Sequence, residues 1–244
     1  ITVFAPDDLA IVKGGPQGRR EYLDDLLVSL HPRHDALLRD LERIVRQRNT
    51  LLKQSGGRAT AEIAATLDVW DAKLAATGSA VAAARAKLVA TVEAEVSAAY
   101  DRVAERSAQV TLAYQTSWAG SLAEALAAAR SEDLRRGVST VGPHRDDLAA
   151  SIGPLPSRSH ASQGEQRSLA LALRLGGHHQ VTEVLGSPPV LLLDDVFSEL
   201  DPERSDALLA SLPAGQVLLT TAGPLPSLAR PETTIRVEDG KVLP

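Results

Sequence analysis

Cysteine and methionine are both absent from the 244 residues. Without thiols there is no disulfide, no thiolate nucleophile and no cysteine-bound zinc, so any metal must be held by oxygen ligands or by the six histidines. Without methionine, and with Ile1 at its start, the sequence is expected to be a fragment whose N-terminal part lies upstream. Aromatic residues make up only 3%, too few for a base-stacking platform. Positive charge is also scarce. Against 31 Asp and Glu stand 26 Lys and Arg, and the net charge of −5 excludes a wholly basic nucleic-acid-coating surface while leaving room for a local patch. No run approaches the roughly 18 apolar residues of a membrane span, and no charged-then-apolar leader opens the chain, so a soluble, cytoplasmic protein is expected. What is present, 44% hydrophobic and 23% charged residues, matches a globular chain of one large or two smaller domains.

Residues 1–31 carry a short strand from Ile1 to Phe4, a turn at Pro6-Asp7 and another at Lys13-Gly14-Gly15-Pro16. From Arg33 to Gln54 the apolar positions Leu37, Leu38, Leu41, Ile44, Val45, Leu51 and Leu52 describe an amphipathic helix with a basic polar face. After Ser55-Gly56-Gly57 a heptad pattern runs through Ile63, Leu67, Trp70, Leu74, Val81 and Leu88 toward Val103. The two helices are expected to pair antiparallel as a projecting arm of roughly 70 Å, with Gly78 as a point of interruption or kinking. Beyond the arm the pattern becomes α/β. Strands are expected at Gln109–Tyr114, Leu148–Ile152, Val190–Leu193, Gln216–Thr220 and Thr233–Val237. Helices are expected at Ser121–Arg130, Gln163–Leu175 and Pro202–Leu212, with His178-His179 complementing a helix dipole at the end of the second. The aliphatic strand Val190–Leu193 is expected inside a sheet covered on both faces.

Asp194 and Asp195 follow that strand directly, which places two carboxylates at the carboxyl edge of a parallel sheet, where α/β folds bind ligands. In a P-loop ATPase the first such carboxylate organises Mg²⁺ on the phosphates and the second orients the attacking water. By itself the pattern describes a strand ending in a polar turn equally well. Ser162 and Gly164, at the start of a helical run, offer a hydroxyl and amide groups to an anion, and by themselves also describe an ordinary N-cap.

Taken in order, the string Ser162-Gln163-Gly164-Glu165-Gln166, the acidic pair, and the turn Ser198-Glu199-Leu200-Asp201 resemble the signature, Walker B and D-loop of ABC-type ATPases. Together with Phe4-Ala5-Pro6-Asp7-Asp8-Leu9, Val12-Lys13-Gly14, Arg19-Arg20 and the stretch from Thr140 to Leu148, they resemble the RecF family over nearly the whole chain. The resemblance implies an α/β, ABC-type (SMC-like) ATPase head, mostly its second lobe, with an inserted antiparallel coiled-coil arm. Residues 1–31 would end the first lobe, 32–107 form the arm, and 108–244 make the second lobe. ATP and Mg²⁺ are the implied cofactors. Asp194 is the implied metal ligand and Asp195 the catalytic carboxylate. Ser162, Gln163, Gly164, Glu165, Gln166, Ser198, Asp201 and Thr221 are the implied nucleotide-binding residues. The implied partners are a second copy bound in the presence of ATP, double-stranded DNA near single-strand gaps, and the RecO and RecR mediators with which RecA is loaded.

Three departures qualify that reading. No glycine-rich Walker A loop occurs in the 244 residues, so this chain alone is expected to be inactive. Asp195 is one methylene shorter than the glutamate usual in ABC ATPases, and Thr221 lies on the strand where transporters carry a switch histidine; both imply a slow, DNA-dependent ATPase in the complete protein. Arg39, Arg43, Arg46 and Arg48 are the DNA-binding candidates, against a solvated coiled-coil face as the plain alternative. His144 and Arg145 either approach a phosphate or belong to a structural turn with Asp146 and Asp147. For the chain as a whole, the competing function is a non-catalytic SMC-like assembly module.

Overall fold

The computed structural model describes residues 1–104, 106–238 and 240–243, with the backbone alone for Glu199 and Leu243. Strand β1 (Thr2–Phe4) leads through a 3-10 turn into the short α1 (Leu9–Lys13) and then α2 (Pro16–Leu30). Pro16 opens α2 at its first turn, where a missing N–H costs nothing. Then follow α3 (Arg33–Gln54) and α4 (Ala61–Val103), 43 residues capped by Thr60, whose hydroxyl accepts from the Ile63 amide at 3.3 Å.

The heptad stripe Leu67, Leu74, Val81, Leu88, Val92, Val96 and Val103 is buried along the whole length of α4, but against different neighbours. Its first half pairs with α3, as expected. Its second half is the central helix of the main core, packed among α2, β2 (Val110–Gln115) and α7 (Gln163–Leu185). The hairpin is also not a two-helix arm. Helix α5 (Leu122–Arg136) lays Leu122 and Leu126 against Leu41, Ile44, Leu74 and Val81, and Leu134 against Leu52 and Leu67. The helix is not interrupted at Gly78. A Cβ there would lie 2.7 Å from Leu122 and 3.1 Å from the Pro143 ring, so the glycine admits a close neighbour and the helix runs on.

Helix α7 likewise continues ten residues beyond the expected stop at Leu175. Gly176 lies against the Val96 backbone of α4, where a Cβ would sit 2.9 Å from the Val96 nitrogen, so the Gly176-Gly177 pair marks a close crossing and not an end. The helix closes at Gly186 in a left-handed conformation, φ 69°. His178 therefore sits inside the helix, buried, with Nδ1 3.1 Å from the Thr2 hydroxyl, and does not complement a helix end.

Antiparallel β2, β3 (Asp147–Ile152) and β4 (Leu155–Pro156) form one sheet, followed by the single turn α6 (Ser157–His160). The second sheet is parallel, in the order β1, β5 (Leu191–Asp194), β6 (Val217–Thr220), with Thr2 opposite Leu191 and Asp194 opposite Thr220. Between β5 and β6 lies α8 (Pro202–Ala210), and a hairpin of β7 (Arg236–Glu238) and β8 (Lys241–Leu243) closes the chain. Alternation sends Leu191 and Leu193 into the core with Phe4, Val217 and Leu219 beside them. Val3 and Leu218 point the other way and are exposed, so within this chain the sheet is covered on one face, where both were expected.

Candidate functional site

Ser162 caps α7 in a capping box. Its hydroxyl accepts from the Glu165 amide at 3.3 Å, and its own amide donates to Glu165 Oε2 at 2.7 Å. The Ser162 amide holds the Glu165 carboxyl below its ordinary range. Gln166 turns inward and donates to the Ser157 carbonyl at 3.4 Å, which ties this helix start to α6, while Gln163 stays exposed.

At the end of β5 the chain turns sharply. Asp195 adopts φ 45° and ψ 34°, the only left-handed non-glycine conformation among the described residues, and one that a short polar side chain tolerates. Its amide donates to the Thr220 carbonyl at 3.1 Å, and the Ser198 hydroxyl donates to the Asp195 carbonyl at 2.8 Å, so strand and 3-10 turn hold the residue from both sides. Asp195 Oδ1 is buried and meets no hydrogen-bond partner among the described residues. Beside it, the exposed Asp194 accepts from the Thr220 hydroxyl at 2.5 Å. Thr220 was missed in the sequence, although β6 pairs it directly with Asp194. Thr221, named there instead, turns its hydroxyl to the backbone of Gly223.

The signature and the acidic pair lie toward the same edge of the sheet. Helix α7 passes Thr2 at His178 and Asp8, beyond the carboxyl end of β1, at Arg174, so it runs against the strands. Twelve residues earlier, about 18 Å further along the axis, comes Ser162. Asp201 caps α8, accepting from the Arg204 amide at 2.9 Å and from its guanidinium at 2.5 Å; the amide bond holds the Asp201 carboxyl below its usual range. That guanidinium lies on Gly164: a Cβ there would be 2.6–2.9 Å from its atoms. D-loop and signature therefore touch within one chain. The described residues include no group of three histidines or acids able to hold a metal ion by themselves. Asp194, exposed at the strand end, fits a metal that also takes ligands from a bound polyphosphate.

The basic face of α3 differs from the expectation at one residue. Arg48 is fully buried, bonded to Asp71 at 2.6 Å, Asp133 at 2.7 Å and Ser139 at 2.8 Å, so it is a tie between α3, α4 and α5 and cannot touch DNA. Arg39, Arg43 and Arg46 are exposed, each beside an acid of its own helix: Asp35, Asp40 and Glu42. The Thr140–Leu148 stretch is tied into the fold, with Arg145 exposed. Burial pushes the His144 imidazole down to about 4, so it carries no charge for a phosphate at neutral pH. Arg145 pairs with neither adjacent acid; it donates to the Ser139 carbonyl, while Asp146 accepts from Tyr114 and Asp147 from Arg19.

No family model matches the chain. Among curated proteins it is 41% identical over 270 residues to the DNA replication and repair protein RecF of Cutibacterium acnes, covering 99% of this chain and 68% of that protein. It is 44% identical to the RecF of Frankia alni and 38% to that of an Arthrobacter strain, covering 63% and 64% of their lengths. The chain thus spans about two thirds of these relatives. Two solved structures, of the recombination mediator protein RecF with ATP and with ATPrS in the RecFOR pathway, superpose with a TM-score of 0.85 at 28% identity, covering 99% of this chain and 66% of theirs. The expected α/β fold is borne out by that agreement.

Proposed function

This chain belongs to the RecF family of DNA replication and repair proteins, and from that premise we propose that it is the larger part of an ATP-dependent DNA-binding switch. In the complete protein, Asp194 would hold the Mg²⁺ of a bound ATP, and Asp195, with Oδ1 buried and unsatisfied, would orient the attacking water. When bound, the metal neutralises charge on the phosphates. Thr220 donates to the Asp194 carboxylate, and Asp195 sits in a left-handed turn directly after the strand. Ser162 and Gly164 would receive the terminal phosphate held by a second copy, so ATP and dimerisation are linked. Gln163, Glu165 and Gln166 shape that helix start, Ser198 and Asp201 the D-loop, and Thr221 the turn after β6.

Double-stranded DNA near single-strand gaps is the proposed partner, with RecO and RecR joining to load RecA. For an acidic chain, local basic groups such as Arg39, Arg43 and Arg46 would supply the phosphate contacts. The observation that carries the reading is the orphaned Asp195 oxygen beside an exposed Asp194. A purely mechanical coiled-coil module has no use for it, so that alternative is not favoured. The test is Asp194→Asn against Asp195→Asn in the complete protein. Asp195→Asn should leave ATP affinity within about twofold while slowing hydrolysis at least about 100-fold, whereas Asp194→Asn should weaken Mg²⁺-dependent ATP binding itself, about tenfold or more. Normal binding and turnover in both would make the acidic pair structural.

A further inference from the structure

The guanidinium of Arg204 occupies an electrostatically awkward place. It lies against Gly164 in the first turn of α7, so close that a methyl group on Gly164 would overlap it at 2.6–2.9 Å. A cation at that end of a helix is opposed by the helix dipole. Two acids offset the opposition. Asp201 takes both the Arg204 amide and one guanidinium nitrogen, and the Glu165 carboxylate is close enough to feel the Arg204 charge. The Arg204 side chain is only 17% exposed, while Asp201 is 45% exposed, so the guanidinium is packed and its acid faces solvent.

The consequence follows from charge. Any phosphate arriving at Ser162 and Gly164 meets amides that attract it and, nearby, the carboxylates of Glu165 and Asp201 that repel it. Glu165 is already engaged in the capping box by the Ser162 amide. Asp201 is neutralised by Arg204 alone among the cations bonded to it in the described residues. We propose that Arg204 is a positioning residue of the signature: it holds the D-loop turn against Gly164 and offsets the carboxylate of Asp201 beside the surface that receives the terminal phosphate of a second copy's nucleotide. The proposal rests on the assignment of Ser162 and Gly164 as that surface. A side chain at position 164 would displace the guanidinium.

Three substitutions in the complete protein test this: Arg204→Ala, Arg204→Gln, which keeps length and planarity without charge, and Arg204→Lys, which keeps charge without the fork. ATP binding to the monomer, ATP-driven dimerisation by light scattering across a dilution series, and melting temperature are read for each. Both neutral variants should raise the dimer dissociation constant at least about tenfold, with monomer ATP affinity within about twofold, and lysine should restore part of the loss. If alanine fails to fold, glutamine carries the test. A folded neutral variant that dimerises like the parent, or a lysine variant as defective as alanine, overturns the proposal. Ser162→Arg serves as the control: if it too dimerises on ATP, the signature assignment itself fails, whereas a monomeric Ser162→Arg beside a normal Arg204→Gln removes only the role of Arg204.

Discussion

Arg48 shows how much a single side chain can be misjudged from charge alone. It belongs to the series Arg39, Arg43, Arg46, Arg48, yet its helical phase follows Leu41 and Ile44 and precedes Leu52, all buried. The phase was legible. Its partners were not, because Asp71 and Asp133 lie 23 and 85 residues away along the chain. Removing one member of a buried ionic set strands the others, so Arg48→Ala should destabilise the protein by about 3–5 kcal/mol in urea unfolding, while Arg43→Ala on the exposed face should change it by less than about 1 kcal/mol. His144 makes a pH prediction of the same kind. Its imidazole titrates near 6.5 unfolded and about 4 folded, so between those values the unfolded chain binds more protons and stability falls as pH drops. From pH 7.5 to 5 the loss from this group is on the order of 2 kcal/mol, and His144→Gln should flatten that part of the urea-midpoint profile.

Among the elements, α3, α4 and the start of α7 were legible in apolar periodicity, whereas α2, with Leu23, Leu26, Leu27 and Leu30 buried along one face, was not expected as a helix. Helix α3 begins at Arg33 and ends at Gln54 as its leucine spacing required. Glycine was the ambiguous letter. Gly186 ends α7, whereas Gly78 and Gly176 lie inside helices because another side chain or backbone crosses there. Local sequence cannot separate these uses, since the crossing partner of Gly176 is Val96, eighty positions upstream. The two readings predict opposite signs. If Gly176 merely weakened a helix, Gly176→Ala would stabilise the protein by about 1 kcal/mol; because a Cβ would press on the Val96 backbone, the substitution should instead destabilise it by about 1–3 kcal/mol, measured by urea unfolding.

For the whole molecule, the acidic pair and the signature were legible as motifs, and the resemblance they carried led to the right family. Their mutual arrangement was not. That Arg204 bridges the D-loop to Gly164, that Thr220 holds Asp194, and that the second half of α4 is built into the main core all depend on long-range packing. In the proposed function nucleotide is shared between two copies, with the acidic pair acting on one side and Ser162 and Gly164 on the other. Ser162→Arg tests it most directly, because an arginine there fills the phosphate position without touching Asp194 or Asp195. Light scattering of the complete variant at saturating ATP, beside a direct ATP-binding measurement, should find ATP bound with near-parental affinity and the protein monomeric. An ATP-induced dimer of the variant as tight as the parent's would rule out nucleotide sharing through Ser162 and Gly164.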